Sequence, residues 1–225
     1  NAKAAAERKA RKYNARAYDG FPIRYWDRWL DELRPSVLVQ PLDGVSPARD
    51  LIAASGLRKQ PGFGGRFENE GETIDATWTP DGKGVVFAAT ANRQESARAP
   101  VFASLWQVGI DGGEPRRLTR DEDDYSAPEF TPDGKVLLAK VQPASQRWVY
   151  VSDRLARWSW PSLGDRSLLT RGDAESVGQF LPAPDSRSVY FVAEQAGHDR
   201  LFQVPLNGGA PSQVGQLDAG SYARI

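Results

Sequence analysis

A short signature recurs along this chain at a fixed interval. It reads Thr79-Pro-Asp-Gly-Lys83, then Thr131-Pro-Asp-Gly-Lys135, then more weakly Pro182-Ala-Pro-Asp-Ser186, and its prolines, Pro80, Pro132 and Pro184, are 52 residues apart at both steps. A period of this size marks units that cannot bury an apolar face alone and must stack on their neighbours. The signature itself has turn chemistry: Pro presets φ, Asp bonds the backbone nearby, and Gly supplies a positive φ. Nothing in it is left over for catalysis.

Each signature opens into an apolar run with strand character: Val85-Val-Phe87, Val136-Leu-Leu138 and Val189-Tyr-Phe-Val192. After two of them comes a second run, Ser104–Val108 or Arg200–Val204, followed by a hairpin turn, Asp111-Gly-Gly113 or Asn207-Gly-Gly209. Pro115–Thr119 and Pro211–Val214 then read as closing strands, with Arg166–Thr170 in the equivalent place of the middle repeat. With Asp75–Trp78 leading into the first signature, the unit has four strands, the pattern of a β-propeller blade. The fold class is therefore all-β: a partial β-propeller of three to four four-stranded blades with a short N-terminal helix.

The expected organisation is a helix and lead-in over 1–20 and a propeller portion over 21–225. Blades are expected over about 21–70, 71–120, 121–172 and 173–216, with the start of a further blade at 217–225. The earliest blade is divergent: Ile23–Trp26, Ser36–Gln40, the turn Asp43-Gly44 and Ala48–Ile52. The helix is read from the Ala, Glu, Lys and Arg of Ala2–Arg16. An open stack of blades leaves two faces bare, so further blades or a partner are expected to cover them. The chain starts at Asn1 and has no Met, which suggests a piece of a longer product.

Composition narrows the function classes. Lys plus Arg and Asp plus Glu number 29 each, so no net field draws the chain to nucleic acid or an acidic membrane surface. No apolar stretch is long enough to span a membrane. The absence of Cys removes disulfides, thiolate metal sites and cysteine nucleophiles. No cofactor or metal is expected: the acidic run Asp121-Glu-Asp-Asp124 lacks the ligand spacing and central Gly of a calcium loop, and reads as a solvated connection between blades.

Two features together resemble the N-terminal propeller of the prolyl oligopeptidase superfamily of serine peptidases. One is the repeat, including Asp111-Gly-Gly-Glu-Pro-Arg-Arg-Leu-Thr119, which TolB-type propellers share. The other is Ala17-Tyr-Asp-Gly-Phe-Pro-Ile-Arg-Tyr-Trp-Asp-Arg-Trp-Leu30 followed by Arg34–Val39, which resembles the lead-in of dipeptidyl-peptidase V and acylaminoacyl-peptidase-like members. The resemblance implies a peptide substrate and a C-terminal α/β-hydrolase domain in the parent chain, which would carry a Ser-Asp-His triad. It also implies, by analogy with bacterial relatives, a periplasmic or secreted location, with a cytoplasmic one still open. Homo-oligomer formation is compatible with the sequence.

No catalytic residue is assigned within the chain. It has no Gly-x-Ser-x-Gly elbow, and its single His, His198, falls in a loop just before a strand. The resemblance implies that loops overhanging the cavity bind the amine and backbone of a peptide. The long polar loop Thr90–Pro100 is the best placed, with Arg93, Glu95 and Arg98 as candidate substrate-binding residues, although Ser96–Ala103 departs from the Trp-Ser-Thr-Asn-like stretch of dipeptidyl-peptidase V relatives. Trp26 and Trp29 are expected to pack the first blade, and Trp158 and Trp160 to share one face of a strand in the core. The rival to a peptidase propeller is a TolB-like module that binds a protein or peptide without enzymatic activity. A propeller lectin has no residue signature here.

Overall fold

The computed structural model describes residues 2–13, 15, 22–25, 27–30, 34–68, 71–144, 151–171, 176–215, 220–222 and 225. Three complete antiparallel sheets follow one another. The first contains β7 (Ala76–Trp78), β8 (Gly84–Thr90), β9 (Ala103–Gly109) and β10 (Arg116–Arg117). The second contains β11 (Asp124–Phe130), β12 (Val136–Gln142), β13 (Arg154–Ser159) and β14 (Ser167–Leu168). The third contains β15 (Val177–Pro182), β16 (Ser188–Gln195), β17 (His198–Pro205) and β18 (Ser212–Gln213). In each the strands are hydrogen-bonded in chain order, as in a propeller blade.

Upstream lie helix α1 (Ala2–Ala10), the ribbon β1 (Arg24–Tyr25) with β2 (Arg28–Trp29), and the pair β3 (Leu38–Val39) with β4 (Arg49–Asp50). They are followed by the single-turn helix α2 (Gly56–Lys59) and the hairpin β5 (Arg66–Glu68) with β6 (Gly71–Thr73). The expected divergent first blade thus takes a different form among the described residues. The segment near Ile23 folds on its own, and only β3 and β4 form the outer half of a blade. The physical cause is local: Tyr25 stacks on Phe67, centroids 4.4 Å apart, so the ribbon is held on the β5–β6 hairpin instead of beside β3. Trp29, expected in a blade core, sits opposite Arg24 in this two-residue ribbon and is 53% exposed. Trp26 lies outside the described residues.

The cores lie between the sheets, because β8 and its counterparts are apolar on both faces. Val86 and Ala88 face one way and pack with Leu105 against Tyr125, Leu137, Ala139 and Trp158 of the next blade. Val85, Phe87 and Ala89 face the other way, onto Val37, Leu51, Ile52, Leu57 and Phe63 of the half-blade and its connector. Leu138, Leu155 and Leu169 likewise meet Val189, Phe191 and Phe202. The four bodies therefore form an open stack with three apolar interfaces. Trp158 is buried in β13 and Trp160, in the turn just after that strand, packs partly buried against Phe130, so the expected pair shares a core but not a strand.

The signature turns behave as their sequence predicts. Thr79 donates its hydroxyl to Asp81 Oδ1 at 2.7 Å, Lys83 N–H donates to the same oxygen at 3.0 Å, and Gly82 takes φ +67°. Thr131, Asp133, Lys135 and Gly134 repeat the arrangement. The turns also touch in series. A Cβ on Gly134 would come within 2.7 Å of Pro80 Cβ, so only Gly admits the preceding corner. In the weaker third signature, Ser186 takes the left-handed position at φ +57°, and its hydroxyl accepts a hydrogen bond from Asp133 N–H at 3.0 Å.

These bonds hold the Asp81 and Asp133 carboxyls below the ordinary value of 3.8, with the threonine hydroxyls the largest cause and the lysine amides next. A lowered folded-state pKa gives stability that is present above the unfolded value and lost as pH falls through the folded one. The urea midpoint, followed downward from about pH 5, should therefore decline once pH passes below about 3.8. A Asp81→Asn, Asp133→Asn variant should show a shallower acid limb; an unchanged limb would remove these turns as its source.

Candidate functional site

An antiparallel meander sends its odd and even connections to opposite ends. The first-to-second and third-to-fourth turns of each blade lie at one end. The other end collects the described residues of the second-to-third loops (91–102, 143–144 with 151–153, and 196–197) and of the connectors between blades (118–123, and 169–171 with 176). The connector leaving the half-blade runs over 51–75, far longer than the other two, and holds α2 and the β5–β6 hairpin.

This hairpin meets the candidate loop. Arg93 opens a turn of 3-10 helix (Arg93–Glu95), and its guanidinium bonds to Glu72 and lies 5.5 Å from the Phe67 ring centroid. Glu72 also accepts the Gly65 N–H at 2.6 Å, and the Arg93 N–H donates to Gly62 O at 3.0 Å. The glycines are needed for close approach: a Cβ on Gly64 would sit 2.5 Å from the Glu72 carboxylate and 2.7 Å from Arg93 Nη1. Tyr25, Phe67, Arg93 and Glu72 therefore form one stacked and ion-paired unit. Only Arg93 of this unit stood out in the sequence, because its partners come from about 20 or more residues upstream and carry no shared motif.

Glu95 and Arg98 are exposed, and neither side chain makes an ion pair among the described residues. The backbone joins them, with Arg98 N–H donating to Glu95 O at 2.7 Å. The loop thus combines one pinned cation with a carboxylate and a guanidinium open to solvent. His198 is exposed at the start of β17, in the hairpin with Ala196-Gly197. It has no neighbouring nucleophile elbow.

The acidic run departs from the solvated connection expected of it. Asp123 is buried; its Oδ1 accepts the Ala144 N–H at 2.6 Å and its Oδ2 meets Arg166 Nη1 at 2.5 Å. The Tyr125 hydroxyl donates to Asp121 Oδ2 at 2.9 Å and accepts from Arg166. Burial, then the Asp121 charge, pushes the Tyr125 phenol up, so it stays a donor at ordinary pH. Asp124 accepts the Ala103 N–H at 2.7 Å. The acidic residues are used to tie strands together across and within blades, which overcomes their mutual repulsion. Among the described residues no group of three or more His, Asp or Glu could hold a metal ion, and no helix is long and apolar enough to cross a membrane.

No family model matches the chain. Dipeptidyl-peptidase 5 of Porphyromonas gingivalis is 22% identical over 94% of the chain, and dipeptidyl-peptidase 5 of Aspergillus fumigatus is 28% identical over 86%. This chain resembles a peptidase propeller. It spans 30% and 29% of the length of those two relatives. Among solved structures, a puromycin-hydrolyzing peptidase of Mycobacterium tuberculosis superposes with a TM-score of 0.56 at 19% identity, covering 81% of this chain and 28% of that one. TolB of Acinetobacter baumannii gives 0.52 at 18% identity, covering 82% and 39%. These two likenesses bear on the fold, and both agree with the stacked four-stranded sheets.

Proposed function

We propose that this chain is the substrate-admitting propeller portion of a serine peptidase that hydrolyses short peptides, of the dipeptidyl- or acylaminoacyl-peptidase type. The observation that carries the reading is the similarity to two dipeptidyl-peptidases along 86–94% of the chain. The chemistry belongs to an α/β-hydrolase domain in the parent, where a Ser attacks the peptide carbonyl, a His moves the proton and backbone N–H groups hold the oxyanion. The propeller portion gates and orients the peptide. Glu95 offers a carboxylate to the free amine, Arg98 a guanidinium to backbone carbonyls, and Arg93, fixed by Glu72, sets the loop that presents them. A periplasmic or secreted location suits a Cys-free chain of this type.

In the full parent enzyme, Glu95→Ala and Arg98→Ala should each raise KM for a dipeptidyl chromogenic substrate roughly tenfold, about 1.4 kcal/mol, with kcat little changed. Unaltered KM in both variants removes the loop from the substrate path. The 225-residue chain alone should not hydrolyse the same substrate, and measurable turnover would overturn the division of labour. A TolB-like binding module shares the fold; a parent reading frame that stops after the last blade favours it, and one that continues into a Gly-x-Ser-x-Gly with downstream Asp and His favours the peptidase.

A further inference from the structure

The innermost strand of the first complete sheet is interrupted. Trp78 pairs with Val85 as Phe130 pairs with Leu137, so Thr90 is the counterpart of Gln142 at the far end of the second strand. Gln142 pairs with Asp124, at the start of a β11 that runs on through one bulge. Thr90 instead exchanges hydrogen bonds with Gly64, at 2.9 and 3.1 Å, while the Ala88 N–H donates to Asp75 O at 2.9 Å. The strand is started by Gly64 and resumed at Asp75, and the β5–β6 hairpin is looped out between them at the rim. Insertions in a repeat architecture map to loops on one face, often the binding face.

Two other unrepeated pieces converge on this insertion. Phe67 of the hairpin stacks on Tyr25 of the β1–β2 ribbon, centroids 4.4 Å apart, and the Arg93 guanidinium of the candidate loop lies 5.5 Å from the Phe67 ring centroid. Arg66 reaches Asp124 at 3.9 Å and braces the hairpin against the second sheet. In the ribbon, Arg24 is paired with Trp29 and Tyr25 with Arg28. Side chains alternate between the faces of a ribbon, so with Tyr25 on Phe67 the Arg24–Trp29 pair is turned to the opposite face. Both are open to solvent there, Trp29 by 53%, and opposed residues hold their Cβ atoms about 5 Å apart. An indole and a guanidinium are thus presented together, on the unit that pins the loop carrying Glu95 and Arg98.

We propose that Arg24 and Trp29 determine specificity by holding the C-terminal residue of a short peptide, the guanidinium taking its carboxylate and the indole face its aromatic side chain. A guanidinium meets a carboxylate through two parallel N–H donors, and an indole accepts an aromatic ring in offset stacking. The inference rests on the peptidase reading and deepens it: Glu95 takes the amine at one end of the substrate, and the ribbon takes the acid at the other. Because the ribbon is held on the hairpin that fixes Arg93, both ends of the peptide are gripped by one unit. Short zwitterionic peptides ending in an aromatic residue are the class selected.

The test uses the full parent enzyme and a set of tetrapeptides with one N-terminal dipeptide: Ala-Ala-Ala-Phe as the free acid, the same peptide as its C-terminal amide, and Ala-Ala-Ala-Ala as the free acid. The wild type should favour acid over amide roughly tenfold in KM, with kcat little changed. It should favour Phe over Ala by about fivefold. Arg24→Gln should remove the first preference and keep the second; Trp29→Ala should do the reverse. Arg24→Lys and Trp29→Phe should each recover part of the lost preference, which a merely structural role would not predict, and thermal midpoints check that all four variants are folded. A wild type that turns over a dipeptidyl chromogenic substrate yet treats the three peptides alike overturns this inference and leaves the peptidase reading standing. A wild type that turns over neither overturns both. Preferences that survive Arg24→Gln and Trp29→Ala place the subsite on other residues and also overturn it.

Discussion

Phe87→Ala should destabilise the chain by about 3–5 kcal/mol, the range for removing a large aromatic side chain from a close-packed core. Phe87 has no exposed surface and lies in the interface between the half-blade and the first complete sheet, among Leu51, Ile52, Leu57 and Phe63. These neighbours come from the connector after β4 and the single helical turn within it, which regular sheet pairing holds less firmly than the cores on the other side. The loss should therefore show unevenly. Hydrogen exchange should rise first over 37–63, ahead of β12 and β16, and equal loss of protection throughout would mean that the stack unfolds as one unit.

Arg166→Ala should cost roughly 2–4 kcal/mol, somewhat below the 3–5 kcal/mol of a fully buried ion pair because the guanidinium keeps some contact with solvent. The substitution leaves Asp123, whose side chain is only 10% exposed, without its cation, and takes a donor from the Tyr125 oxygen. Asp123→Asn in the same chain should recover part of the loss, since the remaining amide carries no charge to bury. A double-mutant cycle from urea midpoints measures the coupling, and additivity within about 0.5 kcal/mol would show that the contact contributes little.

The repeat made the three complete sheets legible because turn chemistry and strand periodicity are local. Thr79-Pro-Asp-Gly-Lys83 fixes its own corner, and Val85–Phe87 announces a strand buried on both faces. What escaped the sequence depends on distant contacts. Asp121, Glu122, Asp123 and Asp124 look like a repelling run until Arg166, over 40 residues away, neutralises two of them. The region before Ile52 carries strand-like residues, yet Phe67 captures Tyr25 and separates the ribbon from β3. Of the candidate site, the loop and its exposed Glu95 and Arg98 were readable from length and polarity. The pinning of Arg93 by Glu72 was not, because Glu72 lies 21 residues upstream and Gly64, which makes room for the pair, shares no motif with either.

The contacts of Pro80 with Gly134 and of Asp133 with Ser186 occur only at the signature corners, all of which lie at one end of the stack. These contacts join each corner to the next along that end, while at the opposite end the Ala103 N–H donates to Asp124 and the Val177 N–H to Asp153 O. Beyond those bonds, the loops of the opposite rim differ in length from blade to blade. A lineage can lengthen, shorten or recharge those loops without altering the pitch of the stack, whereas a single added methyl at Gly134 would meet the neighbouring corner directly.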